Sequence, residues 1–176
     1  MSQLIITAVG PDRPGLAGEL TGHLHAQSAN LLDSRMVNLR GQFAMLILLE
    51  AQAEAVEKMQ RDLPQFGSKI GLTLTVTPQS ASAKPPAPGL RFKLKTYSLD
   101  QPGIVARLTG VLRGHGVNIE ELSAWQASAA FAGSPLFQTE MQLTVPSTVA
   151  VRKLRSDLEV VCNELNCDFD LEPAEA

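Results

Sequence analysis

The chain has 176 residues, a length that suits one medium domain or two small ones. Its 44% hydrophobic and 19% charged residues are those of an ordinary globular protein, which excludes a disordered or collagen-like chain. Fifteen Lys and Arg against eighteen Asp and Glu give a formal charge of −3, whereas a surface that binds nucleic-acid phosphates is normally basic. Direct nucleic-acid binding is therefore not expected.

The N-terminus and the two cysteines bear on where the protein works. Met1-Ser2-Gln3 leads into a strand pattern without the basic and hydrophobic stretches of an export signal, so we expect a cytoplasmic protein. The apolar run that ends at Leu49 is far short of the roughly 20 residues that span a bilayer, so no membrane association is expected. Cys162 and Cys167 are too few for a disulfide framework or a structural zinc site, and reduced structural thiols are expected.

The first residues predict a strand followed by a helix. Leu4 to Val9 is an apolar run of strand length. Pro14 is compatible with the first turn of a helix, so we expect that helix to begin near Asp12, a residue type that caps helix N-termini well. Leucines at spacings of four then form one helical stripe: Leu16, Leu20 and Leu24.

A hairpin and a second helix follow. Asn30 to Leu39 and Phe43 to Leu49 predict two strands joined by a turn at residues 40–42, and the apolar second segment is typical of a covered central strand. The next helix is predicted to break at Pro64, and a closing strand comes after it. The helical stripe comprises Val56, Met59, Leu63 and Phe66, and the strand residues are Leu72, Leu74 and Val76.

Pro78 to Gly89 has the proline, alanine and serine content of an interdomain linker and no periodicity. Beyond it the same order of elements is predicted again, with a longer loop at residues 127–135 and a returning strand from Phe137 to Val145. The opening strand alternates Phe92, Leu94 and Thr96 with Arg91, Lys93 and Lys95; the helical stripes are Ile104, Leu108 and Leu112, then Val151, Leu154, Leu158, Val161 and Leu165.

The two halves repeat each other at an offset of 88 residues. Ile6 to Leu16 corresponds to Leu94 to Ile104, with Asp, Pro and Gly at matching places. The register persists without a gap to Asn30 and Asn118. Two copies of strand, helix, strand, strand, helix, strand predict an α+β protein made of two ferredoxin-like βαββαβ sandwiches. The expected domains are residues 1–77 and 90–176, joined by the linker 78–89.

The repeated Asp-x-Pro-Gly segment lies at a strand-to-helix junction, where the chemistry suits a zwitterion. A helix start offers free N–H groups and a positive dipole to a carboxylate, and a glycine lets the ligand approach the backbone. An aspartate accepts from an ammonium group, and the carboxamides of Asn30 and Asn118 can both donate and accept. A purely structural interpretation stays open, in which Asp caps the helix, Pro and Gly shape the turn, and Asn begins the strand.

Other chemistries find little support in the residues. His23 and His25 face different directions on a helix and His115 stands alone, so no metal site is expected. Glu120 and Glu121 are expected on a solvated strand face. No catalytic Ser/His/Asp or Cys/His set and no phosphate-binding glycine loop is recognisable, so we expect a non-enzyme without a cofactor. Trp125 is expected in the core or at an interface.

The duplicated Asp-x-Pro-Gly, followed about fifteen residues later by Asn-Leu or Asn-Ile, resembles the ACT domain, a βαββαβ module that binds amino acids. Asn30 to Arg35 and Asn118 to Leu122 resemble members of this family that carry two ACT units and regulate transcription. The resemblance implies strand order 4-1-3-2 and a ligand between two units, with Asp12 paired to Asn118 and Asp100 to Asn30. The implied ligand residues are Asp12, Arg13, Pro14, Gly15, Leu16, Asn30, Asp100, Gln101, Pro102, Gly103, Ile104 and Asn118.

The family resemblance therefore implies a regulator that senses a small amino acid, with glycine or serine expected. Because no basic helix-turn-helix is present, it is expected to act on transcription through a DNA-binding activator protein. A homo-oligomer is a further expectation, since each sheet leaves an edge to cover. Three alternatives stay open: the detached regulatory subunit of an amino-acid metabolic enzyme, a ligand-independent interaction module, and a ferredoxin-like RNA binder, which the aliphatic strands and the net charge disfavour.

Overall fold

In the computed structural model, which describes residues 2–79, 88–127 and 135–174, the chain has two successive βαββαβ units. Unit 1 is Met1–Lys84 and unit 2 is Pro85–Ala176. Each unit has one four-stranded antiparallel sheet and two helices. The α+β class and the duplicated ferredoxin-like architecture predicted from the sequence are confirmed.

In unit 1 the four strands lie in the order second, third, first, fourth across the sheet, which is the expected 4-1-3-2 arrangement read from the other edge. The apolar third strand, predicted to be covered, is central between the first and second strands. The elements are β1 (Ser2–Pro11), α1 (Leu16–Ala26), β2 (Asn30–Leu39), β3 (Gln42–Ala51), α2 (Ala53–Ile70) and β4 (Thr73–Pro78).

Unit 2 repeats this topology, with its four strands again in the order second, third, first, fourth. Residues 128–134 of the long predicted loop lie outside the described residues. The elements are β5 (Gly89–Leu99), α3 (Ile104–Gly114), β6 (Asn118–Ala127), β7 (Leu136–Pro146), α4 (Val151–Glu164) and β8 (Cys167–Pro173).

Each unit has its own hydrophobic core between the sheet and its helices. In β1, Leu4, Ile6 and Ala8 are fully buried, whereas the residues between them point to the other face of the sheet. The predicted leucine stripe of α1 is buried against them, and the Ile104, Leu108 and Leu112 stripe of α3 is buried in unit 2. The period-2 and period-3.6 patterns therefore identify the core faces correctly.

The β2–β3 hairpin turns on two residues with positive φ, Arg40 at 51° and Gly41 at 85°. This combination is typical of a type I′ turn, whose twist matches that of the two strands. The register of β2 on β3 shifts between Leu31 and Asp33, and that of β6 on β7 shifts at the equivalent place, between Ile119 and Glu121. The duplication thus preserves a β-bulge as well as the topology.

The predicted break at Pro64 is wrong, since α2 runs through it to Ile70. A proline inside a helix removes one backbone hydrogen bond and costs about 3 kcal/mol. The buried residues Met59, Leu63 and Gly67 lie on both sides of Pro64, so tertiary packing holds one continuous helix. Pro78 and Gly89, at the two ends of the predicted linker, are strand residues, since Pro78 pairs with Leu4 and Gly89 pairs with Pro146. Residues 80–87 of the predicted linker lie outside the described residues.

Trp125 is 43% exposed on β6, so it is not a core residue. Its Cα partner on β7 is Gln138, which is in turn the partner of Tyr97 on β5. Paired residues share a face, and both aromatic side chains therefore lie on the sheet face away from the helices. On that same face, Lys93 forms an ion pair of 2.5 Å with Glu140, as expected for a solvated surface.

Candidate functional site: two duplicated strand-to-helix loops

The strand-to-helix loop of each unit ends on a glycine in the left-handed region. Gly15 and Gly103 both have φ 92° and directly precede α1 and α3. The predicted N-cap at Asp12 is therefore wrong: the helix begins at Leu16, and neither glycine provides a side-chain cap. Asp12 and Arg13 belong to the loop that follows β1. The position directly before the helix is a glycine, because only a residue without Cβ adopts this φ readily.

The first N–H groups of each helix have no acceptor within the helix. The first intrahelical bonds are from Glu19 N to Gly15 O, 2.9 Å, and from Arg107 N to Gly103 O, 3.0 Å. A Cβ added to Gly103 would meet nothing within 4 Å, and one added to Gly15 would meet only Glu19 Oε1 at 3.6 Å. Both helix starts are thus open to a small anionic group.

The two aspartates fix their loops in the same way. The Asp12 carboxylate accepts a hydrogen bond from Asn38 Nδ2, and the Asp100 carboxylate accepts from Gln126 Nε2 at 2.6 Å. Asn38 and Gln126 are themselves 88 residues apart, so the repeat extends to these carboxamides. The Asp12 N–H donates to Gly41 O at 2.8 Å, which ties the loop to the β2–β3 turn. The sequence-based selection missed both carboxamides, although their spacing could have revealed them.

The residue after each aspartate differs between the two units, both in its type and in the group to which its side chain bonds. Arg13 makes a two-pronged ion pair with Glu19 in the first turn of α1, with distances of 2.6 and 2.8 Å. Gln101 donates from Nε2 to the carbonyl of Leu165 at 2.5 Å, in the turn after α4. The position equivalent to Glu19 is Arg107, which pairs with Glu164. The sign of the charge beside the helix start therefore differs between the two loops.

The other predicted loop residues have separate roles. Pro14 and Pro102 are exposed in the turns. Leu16 and Ile104 are 1% and 2% exposed, and their side chains belong to the cores of their units. Only the backbone N–H groups of these two residues are available to a ligand.

Asn30 and Asn118 begin β2 and β6, each beside an equivalent groove. Asn30 Nδ2 donates to Glu50 Oε1 at 3.1 Å, and Asn118 Nδ2 donates to Glu120 Oε1 at 2.8 Å. The grooves have volumes of about 480 and 580 Å³, within the usual range of small-molecule sites. The lining residues of the first include Gly18, Thr21, Gly22 and Asn30, and the equivalent residues of the second are Ala106, Thr109, Gly110 and Asn118.

Within one unit the loop and the asparagine are at opposite ends of the sheet. Asn30 and Gln3 pair with the same residue of β3 from opposite sides, so they are at the same end of the sheet. Asp12 follows Pro11, which is at the other end of β1. At roughly 3.4 Å per residue, Gln3 and Pro11 are about 27 Å apart. A single unit therefore cannot present both groups to one small ligand.

Two of the three histidines, His23 and His115, have structural partners. His23 stacks on Phe66 with ring centroids 3.7 Å apart, and burial lowers the pKa of His23. His115 ends α3 and contacts Asp157 at 2.9 Å. Among the described residues, no group of three His, Cys, Asp or Glu side chains is arranged to hold a metal ion. Nor does any described helix combine the length and apolarity needed to cross a bilayer.

Comparison with known proteins supports the resemblance to the ACT domain. A family model of the ACT domain matches residues 2–77. The glycine cleavage system transcriptional repressor of Escherichia coli strain K12 is 26% identical over 163 residues, covering 93% of this chain and 85% of that protein. A UPF0237 protein of Methanococcus maripaludis is 32% identical over 78 residues, covering 43% of this chain and 87% of that protein.

A solved structure supports the whole architecture. The crystal structure of an unknown protein from Galdieria sulphuraria aligns with a TM-score of 0.81 and 28% identity, covering 99% of each chain. The family model, the relatives and the duplicated βαββαβ topology agree with one another. The chain is therefore an ACT-domain protein: its first unit matches the ACT family model, and its second unit repeats the same βαββαβ topology.

Proposed function

We propose that this protein is a cytoplasmic, non-enzymatic regulator that senses a small amino acid and controls the transcription of glycine cleavage genes. The observation that carries the proposal is the repeated helix start, in which Gly15 and Gly103 have the same φ, follow an aspartate by three residues and leave the helix without a side-chain cap. Similarity to a glycine cleavage system transcriptional repressor over nearly the whole chain supports the process that is regulated.

The ligand is proposed to bind between two ACT units, whether of one chain or of two copies. Its carboxylate accepts from the first N–H groups of α1 or α3, where the helix dipole favours a negative charge. Its ammonium group donates to Asp12 or Asp100, whose carboxylates retain acceptor capacity beyond the bond from Asn38 or Gln126. We pair Asp12 with Asn118 and Asp100 with Asn30, since one unit alone holds these groups at opposite ends of its sheet. Glycine and serine are the favoured ligands.

Control of transcription is proposed to pass through a DNA-binding activator protein. The formal charge of −3 disfavours direct contact with DNA phosphates. On the face of β5 that carries Arg91, Lys93 and Lys95, the neighbouring strands place Glu140 and Asp170 opposite Lys95 and Glu172 opposite Lys93. This mixture of charges leaves no basic stripe for nucleic acid along that strand.

The ligand-independent interaction module is the second candidate function. It is favoured by the bonds from Asn38 and Gln126, because these give each aspartate a structural role without any ligand. Under this function the loops serve only to set the start of each helix, and the exposed surfaces alone contact the partner.

A thermal-shift screen of the twenty amino acids at millimolar concentration separates the two candidates. A ligand present at 100 times its Kd adds about 2.7 kcal/mol to stability, so glycine or serine is expected to raise the melting temperature clearly. The corresponding amides, which lack the carboxylate, are the matched control and are expected to give no shift. A flat profile across all twenty would contradict amino-acid sensing and favour the ligand-independent module.

The second prediction concerns the partner. Saturating amino acid is expected to change the affinity for the DNA-binding protein that co-purifies from native extract by roughly 1 to 3 kcal/mol, or about 5-fold to 150-fold. The measurement is a pull-down followed by titration with and without the amino acid. Recovery of a metabolic enzyme in place of a DNA-binding protein would identify a detached regulatory subunit instead.

A further inference from the structure

The sheet of unit 1 has one face that its two helices do not cover. Side chains alternate along β1, so the residues between its buried ones point away from the core. Paired residues of neighbouring strands share a face, which places their partners on the same surface. This outer face of unit 1 includes Ile5, Thr7 and Val9 of β1, Val37 and Leu39 of β2, Ala44, Leu46 and Leu48 of β3, and Thr73, Thr75 and Thr77 of β4.

Large apolar side chains on the outer face of unit 1 are exposed. Val9, Val37 and Leu46 are 45%, 49% and 48% exposed. Leu46 lies near the centre of the face, where it lines a depression of about 130 Å³ together with Ile5 and Leu48. A depression of this size and lining accommodates one apolar side chain of an opposing surface.

Charged residues lie only at the margins of this face. The strands of unit 1, all within the described residues 2–79, bring Asp33, Arg35 and Glu50 to it. Asp33 and Arg35, on the edge strand β2, pair with each other at 2.5 Å. Glu50, near the end of β3, accepts a hydrogen bond from Asn30. The centre of the face is therefore uncharged.

The second unit shows that the fold does not require an uncharged face here. The strand pairings of the two sheets match position for position, and most equivalent positions in unit 2 are charged. Tyr97 and Trp125 keep an apolar patch at one end of that face. The equivalent pairs are Ile5 and Lys93, Thr7 and Lys95, Leu46 and Glu140, Leu48 and Gln142, Thr73 and Asp168, Thr75 and Asp170, and Thr77 and Glu172.

The chemistry of the face selects its occupant. A charged surface laid on Ile5, Leu46 and Leu48 would lose its water without gaining partners, which is costly. The same face of a second copy is suited to it, because it brings the same uncharged centre and an Asp33–Arg35 pair that is already neutralised. A contact of one surface with itself is isologous and closes as a two-fold dimer.

The area of the face suffices for such a dimer. Neighbouring strands are about 4.8 Å apart and each residue adds about 3.4 Å, so three ten-residue strands and the six-residue β4 span roughly 600 Å². Two such faces together bury on the order of 1,200 Å², the size at which specific protein–protein interfaces begin. Sheets that stack face to face lie about 10 Å apart, which lets their side chains interdigitate.

We propose that two copies of this chain form a two-fold dimer by stacking the outer faces of unit 1, with Ile5, Leu46 and Leu48 in its centre. The helices α1 and α2 pack on the opposite side of the sheet, so stacking leaves them uncovered. The dimer goes beyond the proposed function and does not depend on amino-acid sensing.

Sedimentation velocity of the full chain at micromolar concentrations tests the dimer, which is expected for the wild type. Leu46→Glu is expected to raise the Kd of dimerisation at least about a hundredfold, because each dimer would bury two unpaired carboxylates. The fold accepts glutamate at this position, since unit 2 has Glu140 there. Gln142→Glu, which adds the same charge to the equivalent face of unit 2, is the matched control and is expected to keep the dimer.

A monomeric wild type would overturn the proposal. If that monomer binds the protein that co-purifies from native extract and Leu46→Glu does not, the partner protein occupies the face instead of a second copy. A dimer that both Leu46→Glu and Ile5→Lys leave intact would also overturn it, because the contact would then lie elsewhere. If circular dichroism shows that Leu46→Glu is unfolded, Ile5→Lys decides alone, as unit 2 has Lys93 at that position. Amino-acid binding is tested separately by the thermal-shift screen, so the two proposals fail independently.

Discussion

Gly15→Ala and Gly103→Ala are each expected to weaken amino-acid binding by about tenfold to a hundredfold. The added Cβ projects into the open space at the helix start, where the ligand carboxylate is proposed to lie. An unmade charge-assisted hydrogen bond costs about 1.5 to 3 kcal/mol, which corresponds to that loss of affinity. Isothermal titration calorimetry of both variants with the amino acid found in the thermal-shift screen measures it.

Backbone strain is a separate effect of these substitutions. Alanine would be well tolerated in an ordinary first helical turn, but both glycines have φ 92°. A left-handed conformation costs a residue with Cβ roughly 1 to 2 kcal/mol, so each variant is also expected to unfold more easily. Gly71→Ala is the matched control, because Gly71 has φ 82° and its added Cβ would contact nothing. It is expected to lose similar stability and to keep its affinity.

The two loops are expected to respond unequally. In unit 1 the carboxylate of Glu19 is close to Gly15, whereas the equivalent residue of unit 2 is Arg107. Arg13 and Gln101 also bond to different partners.

If both folded glycine variants bind the amino acid as tightly as the parent, the helix starts are not the carboxylate site.

Leu63→Ala and Leu158→Ala are expected to destabilise their own units by about 2 to 5 kcal/mol each. Both side chains are fully buried at equivalent positions, in α2 and α4 respectively. Each truncation removes apolar surface and leaves a cavity between helix and sheet. Urea unfolding measures the loss of stability, and hydrogen exchange of the native protein assigns that loss to one unit or the other.

The same pair tests the proposed domain boundaries. If residues 1–77 and 90–176 are separate domains, Leu63→Ala is expected to lower the hydrogen-exchange protection of unit 1 amides and to leave that of unit 2 unchanged. Leu158→Ala is expected to lower the protection of unit 2 amides and to leave that of unit 1 unchanged. Val160→Ala, at a residue of α4 that is 55% exposed, is the control and is expected to change stability by less than about 0.5 kcal/mol. Equal loss of protection in both units from either truncation would mean that they unfold as one domain.

The sequence by itself determined the duplication, the element order and the core faces of this protein. These properties depend on local periodicity and on residues in register, such as Leu16, Leu20 and Leu24 and their counterparts 88 residues later. It also located the two Asp-x-Pro-Gly loops as the distinctive chemical feature. Strand order 4-1-3-2 came from the family resemblance, since the same six elements can be arranged in other ways.

Only the tertiary structure decided where α1 begins, because the N-cap depends on the φ of Gly15 and not on the capping preference of Asp12. It also decided that α2 continues through Pro64, where buried residues on both sides outweigh one lost hydrogen bond. The contacts of Asp12 with Asn38, and of Gln101 with Leu165, join residues distant along the chain. Such contacts leave no periodic pattern, since strand pairing and helix packing bring the two residues together.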